Sequence, residues 1–134
     1  MKCIIIVDPS LPSGLIANAT AALGLSLGNH INGLIGPDIL DGQGNTHKGI
    51  TAIPIPILCA DRGTIKAIYT QSLSMNEELT AIGFSAQAQG CNSYDDYISL
   101  MKKSDPEALE HLGLCVYGPR KIVSRLSGQL KLLR

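Results

Sequence analysis

Residues 3 to 7, Cys-Ile-Ile-Ile-Val, are apolar at every position, the pattern of a central strand covered on both faces. From Ser13 the period changes. Leu15, Ile16, Ala19, Leu23 and Leu27 recur at helical spacing, Ala17, Ala19, Ala21 and Ala22 let the backbone approach a sheet, and Gly28 closes the helix. Between Gly33 and Gly49 the period is lost, and Asp-Gly-Gln-Gly at 41–44 reads as the turn of a small hairpin, an excursion at about 34–49. Pro54 and Pro56 then alternate with Ile53, Ile55 and Ile57. Residues two apart on a strand direct their N–H groups to the same neighbour, so these prolines strip donors from one side only and predict an edge strand with that side outward.

Further along, Asp61 or Thr64 caps a second helix carrying Ile65, Ile68 and Tyr69, and the segment from Leu79 to Phe84 reads as a third strand. Ser93 with Asp96 forms a capping-box pattern ahead of Tyr94, Tyr97, Ile98 and Met101, which share a helical face. Pro106 opens a short helical turn with Gly113 beyond its end, Leu112 to Tyr117 is the fourth strand, and Pro119 starts a last helix with Ile122, Val123, Leu126 and Leu130 inward. Strands alternating with helices in this order predict an α/β domain with helices on both faces of a short, largely parallel sheet. At 134 residues and 45% hydrophobic content, residues 1–134 form one domain around a single core.

Charge narrows the range of partners. Eleven basic residues balance eleven acidic ones, so no overall field draws the chain to nucleic acid or to an anionic membrane. One local patch departs from this balance: Arg120, Lys121, Arg125, Lys131 and Arg134 occur without an acid among the last residues, the one route to nucleic acid through a basic C-terminal helix. A single Phe and no Trp weigh against base stacking. The cysteines, Cys3, Cys59, Cys91 and Cys115, show no Cys-x-x-Cys spacing, and three lie in apolar runs, which favours buried thiols in a reducing, cytoplasmic setting with Cys91 the accessible one. The opening apolar run is shorter than a signal-peptide core or a membrane span. His30, His47 and His111 lack metal-ligand spacing, so neither a metal nor another cofactor is expected.

Ligands of parallel α/β sheets gather beyond the carboxyl ends of the strands, which here places Asp8, Ser10 and Ser13 after strand one, Ser85 and Gln87 after strand three, and Asn18 one turn inside the first helix. Asp8 is the candidate general base, and Ser10 and Ser85 complete the catalytic candidates. The structural alternative for the same residues is that Asp8 receives loop N–H groups, Ser13 caps the helix and Asn18 ties it to a neighbouring loop. The Tyr94 and Tyr97 face is read either as ordinary core packing or as a surface for self-association as a homodimer.

The opening IIIVDPSLPSGLIANATAA is similar to the strand, loop and helix that begin type II peptidyl-tRNA hydrolases. The ending VYGPRKIVSRLSGQLKLL resembles their final strand, Gly-Pro turn and helix. With IGPDILDGQGNTHKGITAIPIP included, the full length more closely resembles an uncharacterised bacterial group, the domain of unknown function two thousand, which shares that fold. The resemblance implies a three-layer α/β/α sandwich with a mixed four-stranded sheet in the order 2-1-4-3, strand four antiparallel. An antiparallel last strand brings Tyr117, Gly118, Arg120 and Lys121 to the edge where the excursion places Asp38, Asp41 and His47. Cations in the first turn of a helix oppose its macrodipole, so this second cluster points to an anion, or to pairing of Arg120 or Lys121 with Asp38 or Asp41.

The hydrolases carry a lysine directly after the glycine that opens helix one, whereas Leu15 follows Gly14 here. Their Asp-x-Gly-x-Thr-Gln segment is replaced by SAQAQGCNSYDD at 85–96. An aliphatic side chain cannot stabilise an oxyanion. The expectation is a module that holds a small anionic or nucleotide-like ligand, or a protein partner, without the hydrolase chemistry. The alternative is a hydrolase or transferase with a rearranged site around Asp8 and Ser85.

Overall fold

The computed structural model describes residues 1–75 and 77–134. Strand β1 (Lys2–Val7) is buried along nearly its whole length, as an uninterrupted β-branched run requires. Its two neighbours explain this: β4 (Ile57–Cys59) pairs with it in parallel and β6 (His111–Gly118) antiparallel, the register running from Lys2↔Gly118 to Val7↔Gly113. β5 (Thr80–Ser85) pairs antiparallel with β6, and β7 (Lys131–Leu132) antiparallel with β4, giving one mixed sheet in the order β5-β6-β1-β4-β7. A separate two-stranded ribbon pairs β2 (Ile39–Leu40) with β3 (Thr46–His47).

The side chains of β1 alternate between two apolar layers. Ile4 and Ile6 pack with Ile65 and Ile68 of helix α2 (Arg62–Leu73) and with Val123 and Leu126 of α5 (Arg120–Ser127). Cys3, Ile5 and Val7 face Leu23 and Leu27 of α1 (Ser13–His30). Each fully buried aliphatic side chain contributes about 1.5–3 kcal/mol. Ala19 of α1 is fully buried opposite Gly113, where an added Cβ would lie 3.2 Å from Leu23 Cδ1, so close helix–sheet approach rests on this pair. Ala17 and Ala21 are exposed and take no part in it.

Several expectations are corrected. The sheet has five strands rather than four, and β4 is not an edge, because β7 lies along its other side with Leu133 N–H donating to the Ile57 carbonyl at 2.8 Å. The ladder simply begins after the prolines: Ile53 to Pro56 precede the strand, Pro56 retains its carbonyl to accept from Ile5 N–H at 3.0 Å, and residues 57–59 keep their donors for both neighbours. Gly28 lies inside α1, which runs on to His30. The turn at Pro106–Ala108 is a short 3-10 helix capped by Asp105, while Gly113 lies within β6 as the fourth strand requires. Leu130 lies beyond α5, which ends at Ser127.

The hairpin turn at 41–44 is present. Asp41 Oδ1 accepts from Gln43 N–H at 2.9 Å and Asn45 N–H at 3.0 Å, and Gly44 takes the left-handed φ of +82°. The ribbon extends toward the domain through Ile35↔Thr51, so the excursion reaches past Gly49. Gly49 is required there, since any Cβ would collide with the Gly36 carbonyl oxygen.

Candidate functional site

Where β1 ends, the chain turns at Asp8-Pro9-Ser10, and Asp8 Oδ1 accepts from Ser10 N–H at 2.9 Å and Ser10 Oγ–H at 2.7 Å. This is an Asx turn closed by a serine. Asp8 Oδ2 accepts from Arg62 Nε–H at 3.0 Å, and Arg62 Nη1 donates onward to Glu110 Oε2 at 2.9 Å. Arg62 opens α2, so the network links β1, α2 and the residue before β6. Burial opposes ionisation of Asp8, but the bonds from Ser10 and the neighbouring guanidinium outweigh it and hold the carboxyl below its usual range. A carboxylate held ionised with both oxygens engaged is a poor proton acceptor.

The other residues expected at this edge divide. Ser85 is buried, and its hydroxyl accepts from Ala88 N–H at 3.2 Å as the cap of the short helix α3 (Ala86–Gln89). Ser13 is exposed and caps nothing, because Pro12 holds the capping position of α1. Asn18 Nδ2 donates to Gln89 Oε1 at 3.2 Å, tying α1 to α3. Gln87 Nε2 reaches the Ala108 carbonyl at 3.4 Å while its buried Oε1 has no partner among the described residues. Only Asp8 and Ser10 form a contiguous cluster, and their partners are Arg62 and Glu110. Neither partner stands out by composition, although Arg62 breaks the same dipole rule at a helix start that drew attention to Arg120.

The second expected cluster also separates. Asp41 accepts from His47 Nε2 at 2.8 Å, and this bond, with those from Gln43 and Asn45, lowers its carboxyl to a pKa of about 2. Asp38 pairs with Lys48 at 3.4 Å and accepts from Gly49 N–H at 2.8 Å. Both acids therefore serve the ribbon. Arg120 instead lines a recess of 330 Å³ with Lys2, Ile53, Pro54 and Pro56, while Lys121 is exposed on α5 and Tyr117 packs against the α1 layer. Among the described residues neither Arg120 nor Lys121 forms an ion pair, which corrects their expected pairing with Asp38 or Asp41. Among those residues no group of His, Cys, Asp and Glu is placed to hold a metal ion, and no helix is long and apolar enough to cross a membrane. The four cysteines are free, and Cys59 is half-buried like Cys91.

A cleft that the sequence did not announce lies beside β5. It has a volume of about 450 Å³, within the range typical of small-molecule sites. Leu23 and Ser26 of α1 form one wall, Ile82 and Phe84 the floor, and Cys91, Asn92 and Tyr97 the other wall. Among the described residues no charged side chain lines it. Tyr97 belongs to α4 (Tyr94–Lys103), which has no buried residue. That helix is held by its ends: Ser93 Oγ accepts from Asp96 N–H at 3.1 Å, Asp95 and Asp96 occupy its first turn, and Lys102 and Lys103 its last. Tyr94, 74% exposed, meets Tyr97 edge-on with ring centroids 5.5 Å apart. The expected apolar face of α4 is thus turned partly to the cleft and partly to solvent.

A solved protein of unknown function from Agrobacterium tumefaciens strain C58 is similar to this chain, with a TM-score of 0.87 at 21% identity, covering 98% of this chain and 96% of that one. At that identity the likeness concerns the fold alone. No curated protein matches the chain significantly. The family model described as Protein of unknown function (DUF2000) matches residues 1–134, and the chain belongs to that family.

Proposed function

We propose that this protein is a ligand-binding module built on a scaffold like that of type II peptidyl-tRNA hydrolases, without their ester-cleaving chemistry. The observation that carries the reading is the state of Asp8: its carboxylate is spent on Ser10 and Arg62, so that among the described residues the Ser10 hydroxyl beside it has no free base. The position that carries an ammonium in the hydrolases holds Leu15 here. Ser85, the other catalytic candidate at that edge, is committed to capping α3. Binding needs none of these groups to change protonation. The test is hydrolysis of N-acetylaminoacyl-tRNA by the purified protein and by Leu15→Lys. The reading expects no turnover above the uncatalysed rate from the native chain, and enzymatic turnover that disappears in Asp8→Asn overturns it.

A further inference from the structure

Resting on the binding-module reading, we infer that the cleft between α1, β5 and α4 is the ligand site, and that it takes a small, neutral, largely apolar ring compound with one polar edge. The first argument is charge. A charged ligand entering this cleft loses hydration and meets no counter-charge on any wall, so an anion or a nucleotide is disfavoured while a neutral ring system is not. The second is construction. Domain interiors are close-packed, and a large apolar residue in place of Ala22 or Ala88, both in the lining, would take up part of the gap. Instead the space is open, and the helix over it is stabilised by caps and end charges rather than by burial. An α4 that needed the cleft's floor for its own stability would have sunk onto it.

The polar groups fit the same occupant. The Ser26 hydroxyl and the Asn92 amide offer hydrogen bonds to one polar edge of a ring, and the Cys91 thiol adds a soft, polarisable contact. The Asn18–Gln89 bond joins α1 to α3 outside this lining, so the cleft is a site apart from the Asp8 corner.

The test uses the full chain with indole and p-cresol as neutral probes and AMP and inorganic phosphate as charged ones, followed by amide chemical shifts in NMR titrations. The expected result is saturable shifts from both neutral probes at Ile82–Phe84 and Cys91–Tyr97, with affinity weakened about tenfold or more in Ala88→Phe and in Ala22→Phe. Mass mapping of iodoacetamide labelling should show Cys91 protected by indole in the native chain. Saturable shifts centred on Asp8 and Arg62, or cleft binding by AMP as tight as by indole, overturn the assignment while leaving a binding module standing. The absence of saturable neutral-probe binding, or unchanged affinity in both filled variants, also overturns it. Turnover in the tRNA assay fails the module reading separately.

Discussion

The corner at the end of β1 and the cleft beside β5 are built on opposite principles. At the corner, every oxygen of a buried carboxylate has a donor, and three elements are pinned by one arginine. At the cleft, uncharged walls stand apart with space between them, and the covering helix stabilises itself. A satisfied polar network resists change, because removing any member strands the others in a low-dielectric setting. An unfilled apolar gap has no such commitment. At the corner the polar residues are committed to one another, whereas at the cleft no side chain has to give up a partner for a ligand to enter.

The contrast can be broken most directly at Arg62. Arg62→Ala leaves the Asp8 carboxylate buried without its cation, and urea denaturation should show a loss of about 1–3 kcal/mol, the lower part of the range reflecting the partial exposure of Arg62. A loss no greater than that of Glu110→Ala, whose pair with Arg62 is exposed, would mean the corner is as loosely held as the cleft.

Acid sharpens the same point. The Asp8 carboxyl titrates lower in the folded chain than its ordinary value of 3.8, so the folded state binds fewer protons than the unfolded one in between. Its stabilising contribution is present above pH 3.8 and is lost as pH falls through the lower folded value. Asp8→Asn should be less stable than the native chain at neutral pH and show a shallower fall on acidification, followed by thermal melts across that interval.

His111 supplies an intermediate case, a buried polar group without full satisfaction. Its Nδ1 has no partner, and its ring lies against Tyr69 at 4.8 Å. Burial, aided by the Lys66 ammonium, keeps its imidazole below the usual 6.5. Protonation then favours the unfolded chain, so stability should decline as pH falls from 6.5 toward the lowered value. His111→Gln should flatten that part of the profile, and an unchanged slope would assign the decline elsewhere. The smallest effect belongs to the cleft: Ala88→Phe should move the folding free energy by no more than about 0.5 kcal/mol, whereas a large loss would show that the gap is part of the packed core.

Much of the architecture was legible because it is written in local periodicity. The buried run of β1, the capped starts of α2 and α4, and the turn at 41–44 each depend on neighbours in sequence. β7 is two residues long, too short to carry a period, and its pairing with Leu58 and Cys59 overturned the edge placement inferred from Pro54 and Pro56. At the candidate sites, Asp8 and Ser10 were found together because three consecutive residues place them so. Arg62 joins them from 54 positions away, a relation no local pattern records. The cleft was hidden for another reason, since it is defined by what Ala22 and Ala88 lack.

The strand nearest the start of this sequence lies in the middle of the sheet, and Cys3 meets Cys115, 112 positions along, across the β1–β6 ladder. Closing so long a loop is entropically expensive before any contact rewards it. During synthesis β4 and α2 are available to β1 early, but its other edge stays unpaired until β6 has been made. A strand left half-paired in this way is open to non-native contacts until its second partner arrives.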